Sequence, residues 1–130
     1  MTVKKLDALN HLIDCWRRRS VEEFLDCFTE DLEYYWHLGS PPLRGKAKMR
    51  KFLTNYGGAY DQRRWEIHNW AENGDVLLVE GVEELWDNKY QRLITNLFMQ
   101  AIEFRDGKVA KLRDYYEPSN MKPPAEQVSA

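Results

Sequence analysis

The chain has 130 residues, of which 31% are charged and 43% are hydrophobic, and its formal net charge is -2. This length fits one domain over residues 1–130, and the composition is typical of globular rather than disordered proteins. The weak acidity argues against nucleic acid as a partner. No apolar run approaches the ~20 residues of a membrane span or resembles a signal peptide. We therefore expect a cytoplasmic protein whose partners include neither nucleic acid nor a membrane.

The first half of the chain predicts three helices with one strand between the second and the third. Apolar residues recur at helical spacing in the helices, and consecutive aromatic residues favour extended chain in the strand. The helices are predicted over 3–19, from Ser20 onward and over 46–56, and the strand over 32–38. The pair Gly57-Gly58 is predicted to end the third helix.

The second half predicts four strands joined by tight turns. One strand covers 65–71, and three more follow as a meander from 75 to 117. Helices on one side of such strands give an α+β fold, a cone-shaped curved antiparallel sheet wrapped by three N-terminal helices. We expect the core to span about 5–117 and the tail at 118–130 to be loosely held.

Two carboxylates stand alone on otherwise apolar strand faces, namely Glu83 and Asp114. Their same-face neighbours are Leu77, Val79, Gly81 and Leu85 for Glu83, and Ala110, Leu112 and Tyr116 for Asp114. A lone acid in such surroundings is costly unless it is hydrogen-bonded, paired or used. This pair is the main functional clue in the sequence.

The turn at 106–107 sets a predicted register for the last hairpin. A two-residue turn there places Met99 opposite Asp114, whereas a slip of one residue would turn the other face of the strand toward the acid. Gly81 and Ala101 are small, and we expect them to leave space for a small apolar ligand inside the cone.

The remaining chemically reactive residues give weaker signals. Cys15 and Cys27 are expected to be buried small residues, since no CxxC pair or His cluster accompanies them in the sequence. His37, Glu83 and Asp114 are of types that could hold iron or manganese. No ligand spacing supports such a site, so we predict no metal and no cofactor.

The element order resembles the nuclear transport factor two-like superfamily, which includes ketosteroid isomerase and scytalone dehydratase. The segment IHNWAENGDVLLVEGVEELW, followed by FRDGKVAKLRDYYEP, is most similar to the branch of SnoaL-type polyketide cyclases and limonene epoxide hydrolase. The resemblance covers about residues 5–117. It implies an α+β barrel around a pocket for a small apolar, polyketide-like or terpenoid-like substrate.

The resemblance to limonene epoxide hydrolase also implies a set of catalytic residues. The aspartate of its last strand corresponds to Asp114, its Arg-x-Asp to Gly81 and Glu83, and its Tyr-x-Asn to Tyr35 and His37. In the hydrolase the arginine would keep both carboxylates ionised by charge pairing. Because glycine replaces it here, isomerisation, dehydration or cyclisation fits the residues better than epoxide opening.

The expected chemistry follows from two acids in an apolar hollow. Desolvation raises the pKa of each carboxyl, and repulsion between the two raises one further, so one can act as an acid and the other as a base. His37 could share the proton transfer, and Tyr35 could donate to a developing oxyanion. The strand at 32–38 is apolar on both faces, however, so Tyr34 and its same-face neighbours could point inward instead.

Three hypotheses on function and assembly remain open at this point. The first is a cofactor-free acid–base enzyme, and the second is a pocket that only binds an apolar ligand. Epoxide hydrolysis is a further alternative to the first. The third concerns the other face of the long strand, which is apolar at Val76, Leu78, Val82 and Trp86. A face of this kind predicts a homodimer through the sheet.

Overall fold

The computed structural model describes residues 4–37 and 39–126. Its helices are α1 (Lys5–Arg17), α2 (Val21–Asp26) and α3 (Lys46–Ala59). Its strands are β1 (Phe28–Tyr35), β2 (Leu43–Arg44), β3 (Tyr60–Asn73), β4 (Val76–Asp87), β5 (Arg92–Arg105) and β6 (Lys108–Tyr115). Two short 3-10 turns follow, Pro118–Met121 and Pro124–Glu126.

The six strands form one curled, unclosed sheet in the order β2-β1-β6-β5-β4-β3. Every neighbouring pair is antiparallel except β1 and β6, which run parallel. No hairpin joins these two strands, so no turn forces them to run in opposite directions. The predicted α+β architecture, with three N-terminal helices on a curved sheet, is confirmed, and this one parallel pair makes the sheet mixed.

The main core lies between the helices and the face of the sheet that they cover. Helix and strand side chains with little or no solvent exposure meet there, among them Leu9, Leu12, Phe24, Leu53, Phe28, Leu32, Leu77, Ile102 and Leu112. The apolar stripe of α1 is therefore buried against the sheet, as its periodicity predicts. No helix of the described residues is long and apolar enough to cross a membrane. The cytoplasmic location stays a prediction.

A bulge in β3 explains the glycine at position 81. The register of β3 against β4 shifts between Ile67 and Asn69, which brings the Glu66 carbonyl toward β4. A Cβ built on Gly81 would lie 1.8 Å from that oxygen. Space beside Gly81 was predicted, and this prediction is wrong because the backbone of β3 fills it. Ala101, the second small residue, lies on the outer face of the sheet opposite Arg113.

The register of the last hairpin differs by one residue from the prediction. The turn at 106–107 forms as expected, with both residues at positive φ. A bulge beside Glu103 then leaves Ala110 without a partner, so that Gln100 and not Met99 pairs with Asp114. The predicted apolar surroundings of Asp114 are therefore wrong on this side, and an amide takes their place.

Some element boundaries also differ from the predicted ones. Helix α3 continues through Gly57-Gly58 to Ala59, since neither glycine adopts the positive φ that ends a helix. Strand β3 then begins directly at Tyr60. The end of the predicted strand at Leu38 and the start of the predicted first helix at Val3 lie outside the described residues.

The segment after β6 packs against β5. Asn120 donates to the Asn96 side chain at 3.0 Å, and Arg92 donates to the Lys122 carbonyl at 2.6 Å. We expected residues 118–130 to be loosely held, and the structure instead gives residues 120–122 these contacts. Residues 127–130 lie outside the described part of the chain.

Candidate active site

The curled sheet and the helices enclose a cavity of about 260 Å³. Eleven of its lining residues are aromatic: Trp16, Phe24, Phe28, Tyr34, Trp36, Phe52, Tyr56, Tyr60, Trp65, Phe98 and Tyr116. Ligand pockets commonly measure ~300–1,000 Å³, so this cavity suits a small ligand. Aromatic walls of this kind favour a flat, mainly apolar one.

Four polar side chains interrupt the aromatic wall: Gln62, Glu83, Gln100 and Asp114. The described residues that line the cavity include neither lysine nor arginine. Both carboxyls predicted from strand alternation thus line one cavity, without a cation among the described lining residues to neutralise them. Electrostatic control of the site comes from burial and from neutral hydrogen-bond donors.

Asp114 lies on β6 between two such donors. Its Oδ1 accepts from Gln100 Nε2 at 2.5 Å, and its Oδ2 accepts from the Tyr34 hydroxyl at 2.8 Å. Burial raises the pKa of Asp114 to about 7, although both hydrogen bonds favour the ionised form and lower it. The carboxyl is therefore present in both protonation states near neutral pH, as a general acid or base requires.

Glu83 lies on β4 directly opposite Asn96. Its Oε1 accepts from Asn96 Nδ2 at 3.1 Å. Burial raises the pKa of Glu83, and hydrogen bonds from Asn96 and Gln62 offset part of that rise. The second acid thus repeats the arrangement of the first, with a carboxyl on one strand held by an amide across from it on β5.

The two carboxyl–amide pairs lie at separate places along β5. Asn96 and Gln100 are four residues apart, which corresponds to about 13 Å along a strand. The charge of Glu83 raises the pKa of Asp114 less than burial does. We expected mutual repulsion to contribute strongly, and desolvation is the larger cause. Each acid is therefore held by its own amide at a different position along β5.

The strand β1 presents Tyr34 and not Tyr35 to the cavity. Leu32 is fully buried on the same side, so the alternative face considered from the sequence is the inward one. Tyr35 points away, and its hydroxyl donates to Glu33 Oε2 at 3.4 Å. His37 Nε2 lies 2.8 Å from Ser40 Oγ, and His37 does not line the cavity.

The structure therefore brings Asp114 and Glu83 together in one cavity and leaves Tyr35 and His37 outside it. The iron or manganese set of His37, Glu83 and Asp114 is not assembled either, because His37 is absent from the cavity wall. Strand parity is the physical reason for Tyr35, which must face away when Tyr34 is inward, whereas His37 lies in a bend beyond the end of β1.

Three cavity tyrosines remain neutral donors. Burial is the largest cause in each case and holds the pKa of Tyr34 and Tyr56 well above the usual value, while that of Tyr116 rises to about 12. The negative charges of Asp114 and Glu83 raise all three further. Near neutral pH these phenols can donate to a ligand oxygen without ionising.

Sequence reasoning missed the two amides of β5. Asn96 and Gln100 stand on the same strand face as Ile94, Phe98 and Ile102, so the alternation that identified the acids also marks them. Gln100 is buried, and its Oε1 has no hydrogen-bond partner among the described residues. A buried acceptor left unpaired costs ~1–3 kcal/mol, so a ligand hydroxyl or N–H would be well placed there.

The curled sheet, the aromatic cavity and the two carboxyls that line it together define an α+β cone with an internal cavity. The sequence model of the SnoaL-like domain matches residues 9–112, and the chain belongs to this family. The resemblance drawn from the sequence is confirmed. A search of curated proteins gives no match to the chain.

Solved structures share this fold at low sequence identity. A proposed isomerase from Bacillus subtilis is 14% identical with a TM-score of 0.82, and the alignment covers 95% of this chain and 93% of that one. A proposed polyketide cyclase from Pseudomonas putida KT2440 is 19% identical with a TM-score of 0.79, covering 99% of both chains. An LEH-like epoxide hydrolase of M. tuberculosis is 19% identical with a TM-score of 0.74, covering 88% and 84%. These similarities establish the fold.

Proposed function

We propose that this protein is a cofactor-free acid–base enzyme of the isomerase, dehydratase or cyclase type. Its substrate is a small, mainly apolar carbonyl compound of polyketide-like or terpenoid-like character. One observation carries the proposal: the Asp114 carboxyl lines an aromatic cavity and its two hydrogen-bond partners are neutral, so burial raises its pKa to about 7. Fold similarity to a proposed isomerase and a proposed polyketide cyclase supports the same class.

Proton transfer at carbon is the step that these reaction types share. Ionised Asp114 removes a proton from the carbon beside the carbonyl, and the C–H electron pair forms the enolate as the carbonyl electrons move onto oxygen. The phenols of Tyr56 and Tyr116 supply neutral donors to that oxygen. Protonated Asp114 then returns the proton to a carbon of the enolate, which regenerates the base.

The surroundings of Asp114 set its basicity. Tyr34 and Gln100 fix one carboxylate oxygen each, so the carboxyl keeps one orientation. Glu83 occupies another part of the cavity and can bind a polar group at the far end of the substrate. Positioned proton transfer of this kind contributes roughly 100- to 10,000-fold to a rate.

Epoxide hydrolysis is the less well supported chemistry. The arginine that bridges the two acids in the hydrolase corresponds to Gly81. A side chain at that position would collide with the Glu66 carbonyl, because even a Cβ would lie 1.8 Å away. The described residues that line the cavity include no cation, so both acids lack the charge partner on which that mechanism depends.

A binding protein without turnover is the second candidate function. Both oxygens of Asp114 already accept hydrogen bonds, which a purely structural acid would also do. The same cavity and the same aromatic wall would then hold an apolar ligand with a hydroxyl group, and no proton would be transferred to carbon.

Deuterium exchange into β-tetralone, a small bicyclic ketone, distinguishes the two candidates. We expect the wild-type protein in deuterium oxide to accelerate loss of the α-proton NMR signals over buffer. In Asp114→Asn we expect at least about 100-fold slower exchange, because the base is lost. Binding is followed separately by quenching of tryptophan fluorescence.

Glu84→Gln is the matched control, since Glu84 neighbours Glu83 in sequence but does not line the cavity. It should exchange at the wild-type rate. Equal rates for wild type and Asp114→Asn would refute the catalytic proposal. Saturable binding of β-tetralone without any exchange would favour the binding protein.

A further inference from the structure

Three metal-ligating side chains meet at the ends of α1 and α2, away from the cavity. His11 and Cys15 lie four residues apart on α1, and Cys27 follows directly after α2. The ligand atoms of all three lie within 4.8 Å of one another. Cys15 is fully buried, while Cys27 is partly exposed and His11 is exposed. Only folding brings Cys27 next to His11 and Cys15, so no cluster with the cysteines was apparent from the sequence.

The spacing of the donor atoms fits tetrahedral coordination. Zn–S and Zn–N bonds of about 2.3 and 2.05 Å, at the tetrahedral angle, place sulfur and nitrogen about 3.6 Å apart. Cys15 Sγ and His11 Nε2 are 3.6 Å apart. Residues four apart on a helix point to the same side, so α1 presents this pair as a preformed chelate.

The charges around the cluster are compatible with a cation. The guanidinium of Arg18 lies 3.7 Å from Cys15 Sγ, which alone would oppose a metal ion. Arg18 is paired with Asp14 at 2.9 Å and with Glu23 at 2.7 Å, so its charge is neutralised locally. Glu23 Oε2 also lies 3.9 Å from Cys15 Sγ and is a carboxylate beside the cluster.

We propose that His11, Cys15 and Cys27 bind a thiophilic divalent cation, Zn²⁺ in the first instance. Both thiols lose their protons on binding and coordinate as thiolates, His11 coordinates through its neutral ring, and the fourth position takes water or Glu23. The bound ion links α1 to the junction of α2 with β1 and so fastens two helices that cover the sheet. This site is independent of the proposed catalytic function.

Calorimetric titration of the reduced, metal-free protein with ZnCl₂ tests the site. We expect one equivalent to bind, and the affinity to fall by at least about tenfold in both His11→Ala and Cys27→Ser. His11 is exposed and Cys27→Ser exchanges one small side chain for another at the edge of the core, and circular dichroism checks that both variants fold. His68→Ala is the control, since it removes an exposed histidine elsewhere and should bind Zn²⁺ as the wild type does.

Titration with Co²⁺ gives a second reading of the same site. Thiolate-to-cobalt charge-transfer absorption should appear in the wild type and in His68→Ala and be lost in Cys27→Ser. Equal Zn²⁺ affinity in all variants would overturn the proposal, since binding would then lie elsewhere. So would a protein with both thiols free that binds no Zn²⁺.

Discussion

Two aspartates on different strands of the sheet show what decides the charge of a carboxyl inside this protein. Asp87 ends β4 and is only 3% exposed. It accepts hydrogen bonds from the backbone of Lys89 and Tyr90 at 3.0 and 3.2 Å and from Arg92 Nε at 3.0 Å. Desolvation raises its pKa, but these bonds and the charge of Arg92 outweigh it, so the pKa lies below its usual value.

Asp114 lines the cavity, and burial there is the largest cause that raises its pKa to about 7. It also accepts two good hydrogen bonds, but both donors, Tyr34 and Gln100, are neutral. For Asp87 the backbone donors and the Arg92 cation outweigh the effect of burial on the pKa, whereas for Asp114 two neutral donors do not. A carboxyl held by a cation stabilises a turn, whereas one held by neutral donors keeps a proton available near neutral pH.

The largest expected effect concerns the pH dependence of stability in Asp114→Asn. Folding raises the pKa of Asp114 from about 3.9 to about 7, so between these values the unfolded chain releases the proton and the folded protein keeps it. Wild-type stability should fall as pH rises through this window and then level off. The full shift corresponds to on the order of 4 kcal/mol.

Urea unfolding of wild type and Asp114→Asn between about pH 4 and pH 8 measures this effect. The asparagine variant cannot ionise, so its stability relative to wild type should increase with pH. Parallel stability curves for the two proteins would show that Asp114 titrates normally.

Asp87→Asn should change the stability near neutral pH in the opposite direction, as a loss. It leaves Arg92 partly buried without its charge partner and weakens the turn, for a loss of about 3 kcal/mol near neutral pH. Because the folded pKa of Asp87 is depressed, its contribution is present above the unfolded value and disappears as pH falls through the folded one. Thermal unfolding at neutral and acid pH measures both parts.

The β-tetralone exchange rate provides a second distinction between the aspartates, since Asp87 lies outside the cavity wall. Folded Asp87→Asn should exchange as fast as the wild type at a temperature well below its midpoint. A loss of exchange comparable to that of Asp114→Asn would mean that the turn and the cavity are not separable.

Gln100→Leu should have a smaller effect, of about one pH unit. The Gln100 amide favours ionised Asp114, so its removal should raise the pKa further and move the midpoint of the pH–rate profile upward. Thr95→Val, on the outer face of the same strand, is the control and should leave the midpoint in place. A midpoint that stays fixed or moves downward in Gln100→Leu would contradict this account of the hydrogen bond.

Much of the fold was predictable because periodicity reports burial directly. Alternation placed Glu83 and Asp114 on one side of the sheet, and both line the cavity. The same rule applied to β5 would have found Asn96 and Gln100. They were missed because the register of β5 against β6 was predicted wrongly. The bulge beside Glu103 changes which face of β5 meets Asp114, and a bulge has no sequence signal as strong as that of a turn.

Two other features depend on contacts that are distant in sequence. Tyr34 and Tyr35 stand in a strand with apolar residues on both faces, so only packing of β1 against β6 decides which one reaches Asp114. Gly81 was predicted to leave space in the cavity, but a glycine is required there because any Cβ would collide with the Glu66 carbonyl on the neighbouring strand. Local patterns gave the elements and the acids, and long-range pairing gave their partners.

On the inner face of the sheet polar side chains are buried, whereas on the outer face of the same strands apolar side chains are exposed to solvent. Leu97 is 76% exposed and Met99 is 51% exposed, both on β5, and Leu78 of β4 is close by. Val82, which was predicted to belong to this surface, is itself buried. Contiguous exposed apolar side chains on a sheet indicate a contact surface.

We propose that a second copy of the chain covers this face in a homodimer, with Leu97 near its centre. Leu97→Glu should convert the dimer to a monomer, because two carboxylates would be buried against apolar surface at the interface. Within the subunit the substitution is exposed, so the free energy of unfolding of the isolated chain should change by no more than about 0.5 kcal/mol.

Analytical ultracentrifugation of both proteins at high micromolar concentration measures the mass, and Lys111→Gln, outside the apolar patch, is the control. A monomeric wild type would refute the dimer and would leave the exposed leucine without a structural explanation, whereas Asp114, on the opposite face, would keep its neutral partners and its raised pKa.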